Sequence, residues 1–335
     1  MKGGNRADWI SCCAALGLFI ASTVAAPGAS KLYVTNSRGD DITVIDATAL
    51  KAVHDIKVGE NVHGLCSPAA GDRLFATVES DKSLKVIDTN TDKVLDTIAL
   101  AGEPNQCAST PNGRYVAVPE FYSDTIEIVD LSQKRIVAQL GLPHPHNCVD
   151  ANNDSEIFCS SFDMHAVYRI DLKTMTYSGE IALGGEPRPF VITRDGRLYA
   201  QLSMLHGFVV ASVLEQKTVS RVQLPPAPIS TCIAEAGPST PSHGLALTPE
   251  DKDLWVTSLA DDRVYDYDAA TMRVSATVHV GKCPSWIAAS PDGRYIAVSN
   301  SSSDDASIID RKSRQEIARL KVGHVPKRLL FVDVK

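Results

Sequence analysis

The chain has 335 residues, 44% hydrophobic and 22% charged, with a formal net charge of −7 at pH 7. That apolar fraction supports a real core and excludes a disordered chain. An acidic balance spread along the chain argues against nucleic acid as the main partner, because phosphate binding needs a basic face.

Residues 1–26 read as a secretory signal peptide. Lys2 and Arg6 give a positive start, ISCCAALGLFIA supplies the apolar stretch, and Ser22, Thr23, Ala25 and Ala26 precede Pro27. The apolar run is short for a membrane span. Cleavage near Ala25 and a periplasmic or secreted mature chain, with no span remaining, are therefore expected. Six cysteines follow the leader, Cys66, Cys107, Cys148, Cys159, Cys232 and Cys283. An exported chain can oxidise them, and their connectivity is open.

From residue 31 onward the chain repeats itself. One aromatic recurs at Tyr33, Phe75, Tyr115, Phe158, Tyr199, Trp255 and Tyr295, in steps of 42, 40, 43, 41, 56 and 40 residues. An Asp ends the strand after it: Asp46, Asp88, Asp130, Asp171, Asp268 and Asp310, with Ser212 in the fifth copy. Such an Asp accepts hydrogen bonds from backbone N–H groups just downstream and fixes a turn, so none of the six is read as a catalytic acid. Turn signals (PNGRY, TRDGRL, PEDKDL, PDGRY) precede the aromatic, and Gly or Pro steps such as LAGEP and VGKCP separate the copies.

Each copy holds four short strands of period-2 alternation, as in ITVID and SLKVID. A four-stranded sheet cannot bury both faces alone, so a repeat of this length predicts an all-β fold, a seven-bladed β-propeller of four-stranded antiparallel blades over residues 31–335. Innermost strands are expected near 62–67, 105–110, 146–151, 188–193, 242–248, 285–290 and 327–332. The chain opens with an outer set lacking its inner strand and ends with an inner strand, KRLLFVDV, lacking its outer set. Their pairing closes the ring and removes an exposed sheet edge. The 56-residue step reflects an inserted Pro- and Ser-rich loop at 225–241, whose Cys232 is a candidate disulfide partner of Cys283.

LYVTN…ITVID, a Gly-x-x-Pro step and SPDGRYIAVSN together resemble the YVTN β-propeller repeat family, which includes the YncE-like exported proteins. The resemblance implies a seven-bladed exported propeller whose motif is structural and brings no catalytic residues. Related propellers serve in periplasmic amine dehydrogenases and as haem-binding domains, which makes an oxidoreductase partner, or a role in its maturation, an alternative by analogy of fold alone.

No P-loop, dinucleotide fingerprint, nucleophile elbow, HExxH or CxxC occurs in the sequence, and without CxxCH covalent c-type haem is excluded. No catalytic residue is assigned. Residues that open the inner strands converge on one mouth of a propeller channel: His63, Asn105, Gln106, His146, Asn147, Arg188, His243, Trp286, Lys327 and Arg328. Cations suit carboxylate or phosphate, so a small polar or anionic ligand, or a protein partner, is expected there without catalysis. No cofactor is predicted. A metal held by His63, His146 and His243, or by His146 with Cys148 and Cys107, and non-covalent haem are the alternatives. Cys148 with Cys159 is a further possible disulfide.

Overall fold

The computed structural model describes Met1, residues 30–227, Cys232 and residues 240–334. Most of the expected leader and most of the inserted loop lie outside these residues. Among the described residues are 28 strands and one short 3-10 turn, Phe121–Ser123. No helix there is long and apolar enough to cross a membrane.

The strands form five four-stranded antiparallel sheets and one sheet of eight. Within the eight, two four-stranded antiparallel sets meet edge to edge through a single parallel pairing, Ala182 with Lys217, backed by Thr218 Oγ1 donating to the Ala182 carbonyl at 2.9 Å. Period-2 alternation sends neighbouring side chains to opposite faces. Leu32 and Val34 pack with Ala297 and Ile308 of one adjacent sheet, whereas Tyr33 packs with Leu74 and Val78 of the other. The core therefore lies between sheets, which is why no sheet is stable alone.

Strand Pro326–Asp333 pairs antiparallel with Ser30–Asn36, Leu32 lying opposite Phe331 and Tyr33 opposite Leu330. The last strand of the chain thus completes the sheet that the first begins. The first strands of successive sets are Val62–Cys66, Ala108–Ser109, Pro145–Asp150, Pro187–Ile192, Ser242–Leu247, Pro284–Ala289 and Pro326–Asp333. They touch one another in a closed circuit.

A hydroxyl links members of this circuit. Thr77 Oγ1 accepts the Gly64 N–H at 2.7 Å and donates to the Asn105 carbonyl of the next set at 2.7 Å. Thr35, the threonine of YVTN, accepts the Arg328 N–H at 2.9 Å and reaches the His63 carbonyl at 3.3 Å. Ser299 accepts from Trp286 and donates to the Lys327 carbonyl. Pro119 occupies this place in the third set and has no hydroxyl. There the strand expected over 105–110 shrinks to Ala108–Ser109, with Asn105 N–H bonded to the Pro119 carbonyl at 2.9 Å. Thr77→Val is expected to lower unfolding free energy by about 1–3 kcal/mol in urea, since it orphans a buried N–H and a carbonyl. Thr77→Ser should recover most of that loss; a threonine-to-valine change without effect would show the link to be idle.

The repeated acids are turn locks. Asp46 accepts the N–H groups of Thr48 and Ala49, each at 2.8 Å, and Asp171 those of Lys173 and Thr174 at 2.8 and 3.0 Å. In the fifth copy Ser212 Oγ takes the Glu215 N–H at 3.1 Å. Turn bonds of this kind, from Thr91 to Asp88, from Lys173 and Thr174 to Asp171, from Thr271 to Asp268 and from Ser313 to Asp310, hold these four below the ordinary carboxylate range.

Three disulfides are present. Cys66–Cys107 joins first strands of neighbouring sets, Cys148–Cys159 joins two strands within a set, and Cys232–Cys283 ties the inserted segment to the start of a first strand. This corrects the reading of Cys107 and Cys148 as metal ligands. Their sulfurs are bonded to other sulfurs and buried, so neither offers a thiolate.

Candidate functional site

A cavity of about 710 Å³ opens where the first strands begin. Six of its lining residues hold the second place of a first strand or of the segment leading into one: His63, Asn105, His146, Arg188, His243 and Lys327. Trp286 and Arg328, one place further on, line it too. Register shifts in the strand pairing at this level, as between Val62 and Leu65 or Pro284 and Trp286, re-aim these side chains. Gln106 and Asn147 are turned away. Gln106 Oε1 accepts the Cys148 N–H at 3.3 Å, and Asn147 Oδ1 accepts from Arg328 at 2.8 Å. Both are buried, Gln106 supporting the adjoining first strand and Asn147 holding Arg328, and neither is a cavity wall.

Burial shifts all three histidines toward the neutral form. His243 Nδ1–H donates to the Ser285 carbonyl at 2.8 Å, which fixes its tautomer because a carbonyl only accepts. His63 Nδ1 bonds to Glu79 Oε1. Burial pushes the His63 imidazole down to about 4, helped by the Lys327 cation and opposed by Glu79. Burial and then Arg188 drive His146 and His243 well below the ordinary value. His146 Nδ1 is buried with no hydrogen-bond partner among the described residues.

Arg328 is 4% exposed. Its guanidinium carbon sits 3.3 Å from the Trp286 ring centre and one terminal nitrogen donates to Asn147. Among the described residues no carboxylate forms an ion pair with it, and burial lowers its pKa far below normal. Arg188 donates through Nε to Ser203 Oγ at 2.8 Å and lies over the Phe162 ring at 4.7 Å. A buried cation lacking a counter-charge is costly, and both guanidinia face one cavity. No group of three His, Cys, Asp or Glu side chains is placed to hold a metal ion among the described residues. The three histidines share the cavity with the cations Arg188, Lys327 and Arg328 as well as with Glu79 and Glu103, and the cations repel a metal.

Sequence reasoning missed Glu79, Phe121 and Phe162, which also line the cavity. Each follows directly after the second strand of its set, as Ser203 does. The steps from 79 to 121, 162 and 203 keep the repeat length, so aligning on the end of the second strand would have found all four. They face the second place of the first strand: Glu79 meets His63, Phe162 meets His146 and Ser203 meets Arg188.

No family model matches the chain. Protein NEDD1 of Homo sapiens is 21% identical over 275 residues, covering 79% of this chain. Antigen Lp49 of Leptospira interrogans is 34% identical over 84 residues, covering 25%. The chain spans 39% and 18% of the lengths of these curated relatives. Among solved structures, dihydro-heme d1 dehydrogenase NirN in complex with DHE matches 87% of the chain and 63% of its own at a TM-score of 0.65 and 13% identity. Hydrazine synthase of Kuenenia stuttgartiensis matches 74% of the chain and 95% of its own at 0.53 and 18%. Both neighbours are β-propeller proteins, and the likeness establishes a propeller fold.

Proposed function

We propose that the chain is an exported, seven-bladed propeller of the YVTN type that binds a small anionic ligand at its channel mouth and performs no chemistry of its own. The eight-stranded sheet counts as two blades on this reading, because one parallel pairing at the outer edges is all that joins its halves. Three disulfides support an oxidising, exported location. The observation that carries the ligand reading is Arg328, buried without a carboxylate in ion-pair contact among the described residues, at the cavity shared with Arg188 and Lys327. A guanidinium in low dielectric binds carboxylate or phosphate with charge-assisted hydrogen bonds.

Millimolar citrate or phosphate is expected to raise the melting temperature at constant ionic strength, chloride serving as the control. A site filled a hundredfold over its Kd adds about 2.7 kcal/mol of stability. Replacing Arg188 by Gln should abolish the shift while leaving the unliganded chain folded. No difference between these anions and chloride would overturn the reading.

A second reading, a propeller subunit or maturation factor of a periplasmic oxidoreductase, is favoured by the likeness to NirN over 87% of the chain. It expects co-purification from the periplasm with a haem- or quinone-bearing protein. A colourless chain eluting alone would remove it.

A further inference from the structure

The mouth interleaves cations with aromatic rings. Phe162 packs 5.4 Å from Phe121 at 82° and 4.6 Å from His146 at 33°. Phe121 and Tyr122 ride on the 3-10 turn, and the two rings meet edge to face at 5.2 Å. Tyr122 lines the cavity yet is 77% exposed, an aromatic held at a rim where none of the described residues covers it.

The guanidinia lie among these rings. Arg188 stacks on Phe162 and Arg328 on Trp286, which orients the planar forks. With Arg188 bonded through Nε alone, its terminal nitrogens meet no protein acceptor among the described residues. Arg188 lies over the ring that packs on His146, and Arg328 donates to Asn147, the next residue, so both guanidinia reach the part of the cavity that His146 lines. An inorganic anion would use the cations and leave the rings idle; a flat ring bearing a carboxylate would use both. The volume lies in the range of small-molecule sites and admits a ligand of one or two fused rings.

Building on the anion reading, we propose that the ligand is a planar aromatic carboxylate, its carboxylate held by Arg188 and Arg328 and its ring lying against Tyr122 and His146.

Calorimetric titration of the whole chain with three probes tests this: 2-naphthoate, its saturated decahydro analogue and inorganic phosphate. The naphthoate is expected to bind about tenfold more tightly than the saturated ring, as base-like stacking on aromatics does. Tyr122→Ala should bring that ratio close to one without altering phosphate binding, and Arg188→Gln should weaken all three probes. Equal binding of the flat and saturated rings, or a ratio that survives Tyr122→Ala, overturns the aromatic assignment while the anion reading stands. Failure of all three probes to bind overturns both.

Discussion

Between pH 7 and pH 4 the chain is expected to lose stability, and His63→Gln to remove about 3 kcal/mol of that loss. In the unfolded chain an imidazole protonates near 6.5, whereas in the fold His63 resists protonation until about 4. Within this window the unfolded state binds more protons, so stability falls as pH falls, at 1.36 kcal/mol per unit of separation. His146 and His243 add to the same slope, being held neutral by burial and neighbouring cations. Carboxylates whose pKa burial raises, Glu120, Asp150 and Asp266, oppose them. Glu120 is 1% exposed and lies beside Glu127; burial first, then that second carboxylate, raises its pKa. Because the folded chain holds that proton more firmly than the unfolded one, Glu120 contributes stability as pH falls. The measurement is therefore best made in a Glu120→Gln background, by urea unfolding at several pH values with and without His63→Gln. A difference between the pair that stays constant across the window would refute the neutral-histidine description of the mouth.

The second large effect is expected from one methyl group. An alanine Cβ at Gly64 would lie 2.7 Å from Gln106 Cα, 2.7 Å from Thr77 Oγ1 and 3.0 Å from the Asn105 carbonyl. Two of these contacts are backbone of the segment leading into the adjoining first strand, which the closed circuit prevents from withdrawing. At Gly244 the nearest atoms are side chain and backbone at 3.0 Å and beyond. Overpacking typically costs about 1–3 kcal/mol. Gly64→Ala is expected to reach or exceed the upper end, and Gly244→Ala to cost less. A Gly64→Ala chain within about 0.5 kcal/mol of the parent, the range of a surface change, would mean that the first strands are free to separate.

Much of the architecture was legible because it is written in local chemistry. Tyr33, Asp46 and the Asp-Gly turns recur with the unit that needs them, and KRLLFVDV could be matched to LYVTN since each lacked what the other had. Eight of the ten proposed mouth residues line one cavity because the start of a first strand is itself a repeated place. Gln106 and Asn147 do not line it because their side chains are spent on protein donors: Gln106 accepts the Cys148 N–H of the adjoining first strand, and Asn147 accepts from Arg328, far along the chain. Cys148 shares a strand with His146, yet its sulfur is spent on Cys159 across the sheet, a choice that spacing left open.

By itself the sequence determined the strand period, the turn locks, the joining of the two chain ends and the level at which charged residues gather. These follow from alternation and turn propensity, which act over a few residues. Only the tertiary structure decided which charges lost their solvent. Arg328 became a buried cation on Trp286, and burial drove the imidazoles of His63, His146 and His243 toward the neutral form, because first strands as far apart in the chain as Val62–Cys66 and Pro326–Asp333 converge on one cavity. Burial and the sum of neighbouring charges set protonation, and neither exists until the ring is closed.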